Sequence, residues 1–170
     1  MFKYLVFFIY LFFSLYANSA EKNTAEVLGT YGDWKAFYWN LDEDKVCSIL
    51  SYPKKEEGKY TKRGKVVARV TQRVENPSAG VVSFQVGYPI KEGSDIKIKI
   101  DGKPFGVFNF LQDQIAWTSD PEFDGMLIKA MQRGTTMIIK GVSSRGTNTK
   151  DTYSLRGFTA AYKAISKVCK

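Results

Sequence analysis

The run Ile96-Lys97-Ile98-Lys99-Ile100-Asp101-Gly102 constrains the fold of this chain more than any other stretch. Isoleucine alternates with lysine at a period of two, which puts three branched apolar side chains on one face of a strand and the lysines on the other. A helix would scatter them around its circumference. Asp101-Gly102 then supplies residues that tolerate positive φ in a tight turn, so Phe105 to Phe110 is expected to fold back as a hairpin partner. Val82, Phe84, Val86 and Tyr88 share a second strand face, closed by Gly87-Tyr88-Pro89. Further strands are expected at Gly32 to Trp39, Lys45 to Ser51, Lys65 to Val74, Ile115 to Ser119, Thr136 to Ser143 and Thr152 to Leu155. About eight short strands separated by turn residues point to an antiparallel β-sandwich or barrel.

Two segments depart from this pattern. Pro121, then Phe123, Met126, Leu127, Ala130 and Met131, then Gly134, predict a short helix near 121–132 with proline in its first turn and glycine after its end. Phe158, Ala161, Tyr162, Ile165 and Val168 recur at helical spacing and predict an amphipathic C-terminal helix near 157–168. Periodicity nominates Trp34, Phe84, Ile98, Phe108, Trp117, Ile138 and Phe158 for the core.

The first twenty residues combine one charge, Lys3, a thirteen-residue apolar run from Tyr4 to Tyr16, and the small-residue end Ala17-Asn18-Ser19-Ala20. The run falls short of the ~20 residues a helix needs to cross a bilayer. The pattern is that of an export signal, with cleavage expected after Ser19 or Ala20; an uncleaved anchor is the competing reading. A flexible lead-in is expected over 21–30, then one domain over 31–170. Without the signal, 24 basic residues face 17 acidic ones, a net charge of +7. In an exported protein this favours anionic envelope components over nucleic acid. The expected location is the periplasm.

Only Cys47 and Cys169 are present, and an oxidising compartment predicts that they pair across 122 positions. A reactive or metal-binding thiol is the alternative. It lacks a CxxC spacing and any histidine, the commonest partner of a thiolate or metal.

The absence of histidine also excludes a histidine-based triad and the usual zinc or iron sites. No cofactor or metal site is expected, and no catalytic residue is nominated. Asp113, Asp120, Glu122 and Asp124 cluster around the first helix, where two convergent carboxyls could run a hydrolase; acids answering a helix dipole are the simpler account. Ser143 and Ser144 lie near Lys140 without an SxxK motif, and there is no GxGxxG or Walker loop.

The polar segment SSRGTNTKDTYSLRGFTAA, residues 143–161, stands apart. Thr147 to Lys150 has turn chemistry, which would set Arg145 opposite Asp151 across a hairpin. That pair could fix the turn or present a guanidinium fork to an anion, and Arg145, Asp151 and Tyr153 are the candidate residues for either role.

The same segment resembles the C-terminal pattern of the invasion-associated locus B family, small exported proteins of Gram-negative bacteria. The resemblance is carried by Ser144, Arg145, Gly146, Thr147, Thr149, Asp151, Thr152, Tyr153, Ser154, Leu155, Gly157, Phe158 and Ala161, with Cys169 closing. Gly32-Asp33-Trp34, Cys47 with Ser48 and Pro53, Gly87-Tyr88-Pro89, Ile100-Asp101-Gly102, Ala116-Trp117 and Gly134 extend it over about 31–169. The acidic bridge Asn40 to Asp44 departs from the pattern. The resemblance implies a periplasmic or surface-associated immunoglobulin-like β-sandwich with one disulfide, linked in some members to host-cell invasion and stress survival, and it implies no catalytic residues. The leading expectation is therefore a non-enzymatic envelope protein that binds proteins or envelope components. A small-ligand or glycan carrier using Trp39, Tyr60 and Tyr153 as stacking surfaces is the second, and a carboxylate-dependent hydrolase the third.

Overall fold

A computed structural model describes residues 24–41, 44–75 and 80–169. The expected export signal and residues 42–43 of the acidic bridge lie outside the described residues. One sheet has seven antiparallel strands in the order β1 (Glu26–Tyr31), β2 (Trp34–Leu41), β3 (Asp44–Ser51), β5 (Val67–Arg73), β6 (Val81–Gln85), β10 (Ile115–Trp117) and β9 (Phe110–Gln112). The second has five in the order β4 (Lys55–Gly58), β12 (Asn148–Ser154), β11 (Thr136–Val142), β7 (Ile96–Ile100) and β8 (Lys103–Phe108), again all antiparallel. The two sheets form a β-sandwich.

Period-two alternation sorts the side chains as expected. Ala36, Ile49, Val70, Val82 and Phe84 of the larger sheet are buried, as are Ile96, Ile98, Phe108, Met137 and Ile139 of the smaller one. The Phe84 and Phe108 rings meet at 5.2 Å between centroids. The Asp101-Gly102 turn forms, with both residues at positive φ, and Asp101 also accepts hydrogen bonds from the backbone of Thr135 and Thr136.

Helix α1 (Pro121–Arg133) starts where Asp120 accepts from the backbone amides of Glu122 and Phe123, and proline occupies a first-turn position that needs no amide. Leu127, Ile128 and Met131 form its buried stripe. Helix α2 (Phe158–Val168) buries Phe158, Ala161 and Ile165 and packs on β1, β2 and β3. Its end is joined to β3 by the Cys47–Cys169 disulfide, with Cα atoms 6.0 Å apart.

Three expectations are corrected. The lead-in is not flexible throughout: Glu26–Tyr31 pairs with β2 as an edge strand. In β11 it is Met137 and Ile139 that face the core, while Ile138 points the other way and is only partly buried. Three consecutive apolar residues carry no alternation, so the sequence could not fix that register. Trp117 likewise lies on the outer face, its ring 4.8 Å from Phe110, while its neighbour Ala116 takes the core position.

Candidate functional site

The segment between β4 and β5 crosses from the smaller sheet to the larger, and Arg63 sits on this crossing with a side chain only 3% exposed. Its Nε donates to the Val86 carbonyl at 2.9 Å, while Nη1 and Nη2 donate to the two Asp151 oxygens at 2.7 and 2.6 Å. One planar fork therefore ties the crossing segment to both sheets. The guanidinium also lies 5.4 Å from the Tyr60 ring centre and 5.1 Å from that of Tyr88. Burial works against the Arg63 charge, but the contact with Asp151 outweighs it and holds the group above its ordinary pKa. Burial pushes the Asp151 carboxyl above its ordinary value, against the pull of Arg63.

Asp151 reaches this position because β12 begins at Asn148, four residues before the expected start, and alternation turns Thr149, Asp151 and Tyr153 inward. The polar members are satisfied there: Thr149 Oγ1 and the Tyr88 hydroxyl are 2.6 Å apart. Tyr153 is 1% exposed, so it is a core residue and cannot act as a stacking surface. The expected pairing of Arg145 with Asp151 does not occur. The turn spans Ser143 to Thr147, closed by the Ser143 side chain accepting from the Thr147 amide and by the Gly146 amide donating to the Ser143 carbonyl. Arg145 stands exposed on it.

Above the Arg63–Asp151 pair lies a cleft of about 650 Å³. Residues 59–64 form one wall and the 143–147 turn the other, with Gly87, Tyr88 and Pro89 between them. Both walls are fastened to that strip: the Gly64 amide donates to the Gly87 carbonyl at 2.8 Å, and the Ser144 amide to the Pro89 carbonyl at 2.8 Å. Gly87 has φ +76°, and a side chain there would place Cβ 2.6 Å from the Gly64 carbonyl oxygen. Only glycine allows this approach. Lys59, Lys62, Arg63 and Arg145 line the cleft, and no carboxylate does. Lys59, Lys62 and Arg145 have no ion-pair partner among the described residues.

The acidic candidates lie elsewhere and do not converge. Asp120 caps α1, Glu122 is exposed, and Asp113 occupies a turn at φ +50°. Asp124 is buried and accepts from the Val82 amide at 3.2 Å; burial pushes its carboxyl up to about 7. Among the described residues no three acidic or cysteine side chains gather as a metal site, and no helix is long and apolar enough to cross a membrane. Trp39, another stacking candidate, is on the outer face of the larger sheet against Phe37 and does not line the cleft that holds Tyr60.

Sequence reasoning missed Arg63. In Lys59-Tyr60-Thr61-Lys62-Arg63-Gly64-Lys65 it is one of four cations in a run that reads as a solvated loop. The one usable signal was Asp151, an acid at an inward strand position that needs a cation.

The motif residues divide by location. Gly87-Tyr88-Pro89, Ser144 to Thr147, Thr149 and Asp151 build the cleft. Gly32-Asp33-Trp34 and Gly157-Phe158 form a joint at the start of α2: the Asp33 amide donates to the Arg156 carbonyl, Trp34 Nε1 donates to the Ser154 carbonyl, and the Trp34 and Phe158 rings meet edge to face at 4.9 Å. Lys54, Ser154 and Arg156 hold the Asp33 carboxyl down at about 2. No curated protein and no solved structure matches the chain. The family model described as invasion associated locus B (IalB) protein matches residues 34–166, which includes the whole cleft and, of the joint, Trp34 with its partners Ser154 and Phe158. The chain belongs to the IalB family.

Proposed function

We propose that this chain is an exported, non-enzymatic protein of the cell envelope that acts by binding an anionic envelope component in the cleft between residues 59–64 and 143–147. The observation that carries this reading is a preassembled cleft lined by three cations without ion-pair partners among the described residues, Lys59, Lys62 and Arg145, and by no carboxylate, with walls fixed by backbone bonds before any ligand arrives. The N-terminal signal pattern and the disulfide support an exported location. Asp120 and Asp124 are occupied with capping the helix and a strand amide, which leaves little support for carboxylate hydrolysis. Any part in host interaction or stress survival would follow from such binding.

The test is capture from envelope extract on immobilised protein, comparing the natural chain with Lys59→Ala/Lys62→Ala/Arg145→Ala. A partner retained at low salt, released at high salt and lost with the triple variant is the expected result. Retention by both proteins alike would place binding elsewhere on the molecule.

A further inference from the structure

We infer that the ligand of the cleft is an acidic carbohydrate, an oligosaccharide bearing carboxylate or phosphate groups; this rests on the reading of the cleft as a binding site. Charge gives the sign of the ligand, since Lys59, Lys62 and Arg145 are exposed cations without ion-pair partners among the described residues. Size argues against a small inorganic anion. A cleft of about 650 Å³ falls within the roughly 300–1,000 Å³ of sites that hold small organic ligands.

The rest of the lining matches a polyhydroxylated chain. Of the seven hydroxyl-bearing residues in the lining, Tyr88 and Thr149 bond each other and Ser143 takes the Thr147 amide, which leaves the hydroxyls of Thr61, Ser144 and Thr147 besides Tyr60, and Gln114 adds an amide. Such groups both donate and accept, as sugar hydroxyls do. Tyr60, 36% exposed at the mouth, offers an aromatic face of the kind on which sugar rings stack. Its ring lies close over Gly58, where a Cβ would come within 2.9 Å of the ring, and beside the fixed Arg63 guanidinium, so its position is set in advance. A single exposed ring is poor equipment for nucleic acid, which is gripped by successive stacking platforms. A concave site is equally ill suited to a flat lipid surface.

The experiment titrates the oxidised protein with trigalacturonate, maltotriose, inorganic phosphate, phosphatidylglycerol vesicles and a short oligothymidylate, by calorimetry and by amide shifts in two-dimensional NMR. Trigalacturonate is expected to bind and to shift amides of Tyr60 and of Ser144 to Thr147, with maltotriose at least tenfold weaker. Lys59→Ala/Lys62→Ala/Arg145→Ala should lose at least tenfold affinity, while the charge-matched Lys129→Ala/Lys163→Ala/Lys167→Ala, all exposed on the helices, should not. Tyr60→Leu, checked for an unchanged melting temperature, should weaken trigalacturonate several-fold and leave any phosphate binding unaltered. Equal binding of maltotriose or phosphate, preference for vesicles or oligothymidylate, or shifts confined to another surface would overturn the assignment. If envelope extract yields a salt-sensitive partner yet no acidic oligosaccharide binds, the carbohydrate assignment fails and the binding reading stands. Silence in both experiments ends both.

Discussion

Arg63 and Asp151 illustrate how a buried charge pair is held by its geometry rather than by its net energy. Removing one partner strands the other in a site closed to water, at a typical cost of about 3–5 kcal/mol. Arg63→Met and Asp151→Asn are each expected to destabilise by that order, and the double variant by clearly less than the sum, in a urea-denaturation cycle. Additive losses would show that the two side chains act independently. Arg63→Lys should also be costly, because an ammonium cannot reproduce the fork that reaches Val86 and both Asp151 oxygens. Asp124 gives a prediction of opposite character. Its folded pKa, about 7, lies above the unfolded value, so its stabilisation is complete below about pH 4 and is lost as pH rises through 7. Asp124→Asn keeps the oxygen that accepts from Val82 and removes the titration. Between pH 5 and pH 8 the natural protein should lose stability relative to this variant on the order of 2 kcal/mol, measured by parallel urea melts. A difference independent of pH would show that Asp124 does not titrate in this range.

At the level of elements, α2 begins without a side-chain cap and depends instead on Gly157 at φ +91°. A Cβ at Gly157 would lie 1.9 Å from the Tyr31 carbonyl oxygen, so the entry to the helix must shift or β1 must yield. Gly157→Ala is therefore expected to destabilise by more than the ~1 kcal/mol of a left-handed alanine alone, and to weaken the packing of Phe158 on Trp34. Thermal melts and the near-ultraviolet circular dichroism of Trp34 would register both effects; an unchanged melt would show that the joint is slack. Both helices were legible in the sequence because their caps and apolar spacing are local properties. The same holds for the β7–β8 hairpin, where alternation and Asp-Gly agree. The strands β1, β4 and β9 were not legible: EVLGTY, KEEG and FLQ are short edge segments whose exposed residues carry little period-two contrast. The early start of β12 was hidden for another reason. Thr149 and Asp151 occupy inward positions where apolar residues are expected, and the partners that make them tolerable, Tyr88 and Arg63, are 61 and 88 positions away. The expected pairing of Arg145 with Asp151 thus gives way to one with Arg63, because a buried ion pair is a property of tertiary structure.

Over the whole molecule, the chain's early strands and last helix are fastened together across more than a hundred residues. The Trp34 ring meets Phe158, Gln72 on β5 meets the Tyr162 hydroxyl at 3.0 Å and Ser166 donates to Gln72, so α2 is held on the larger sheet by packing and polar contacts along its length. The disulfide adds a covalent tie at the far end of that helix. Its cysteines lie in β3 and after α2, whereas the cleft is built from residues 59–64, 87–89 and 143–147. The two features are therefore separable. Replacing Cys47 and Cys169 with serine releases a constraint over 122 positions and acts mainly on the unfolded chain, so the expected loss is about 2–5 kcal/mol, with a melting temperature lower by several degrees at least. The last turn of α2 should fray while Phe158 and Ile165 stay buried. Cleft binding at low temperature should match that of the oxidised protein, since no wall of the cleft rests on the bridge. Hydrogen exchange would localise the loosening, and binding lost together with the bridge would show that α2 and the cleft are coupled through the sandwich. Free-thiol titration of unreduced protein should find no reactive sulfhydryl; finding two would mean the pair is open in solution and would transfer the stabilisation of α2 to the packing contacts alone.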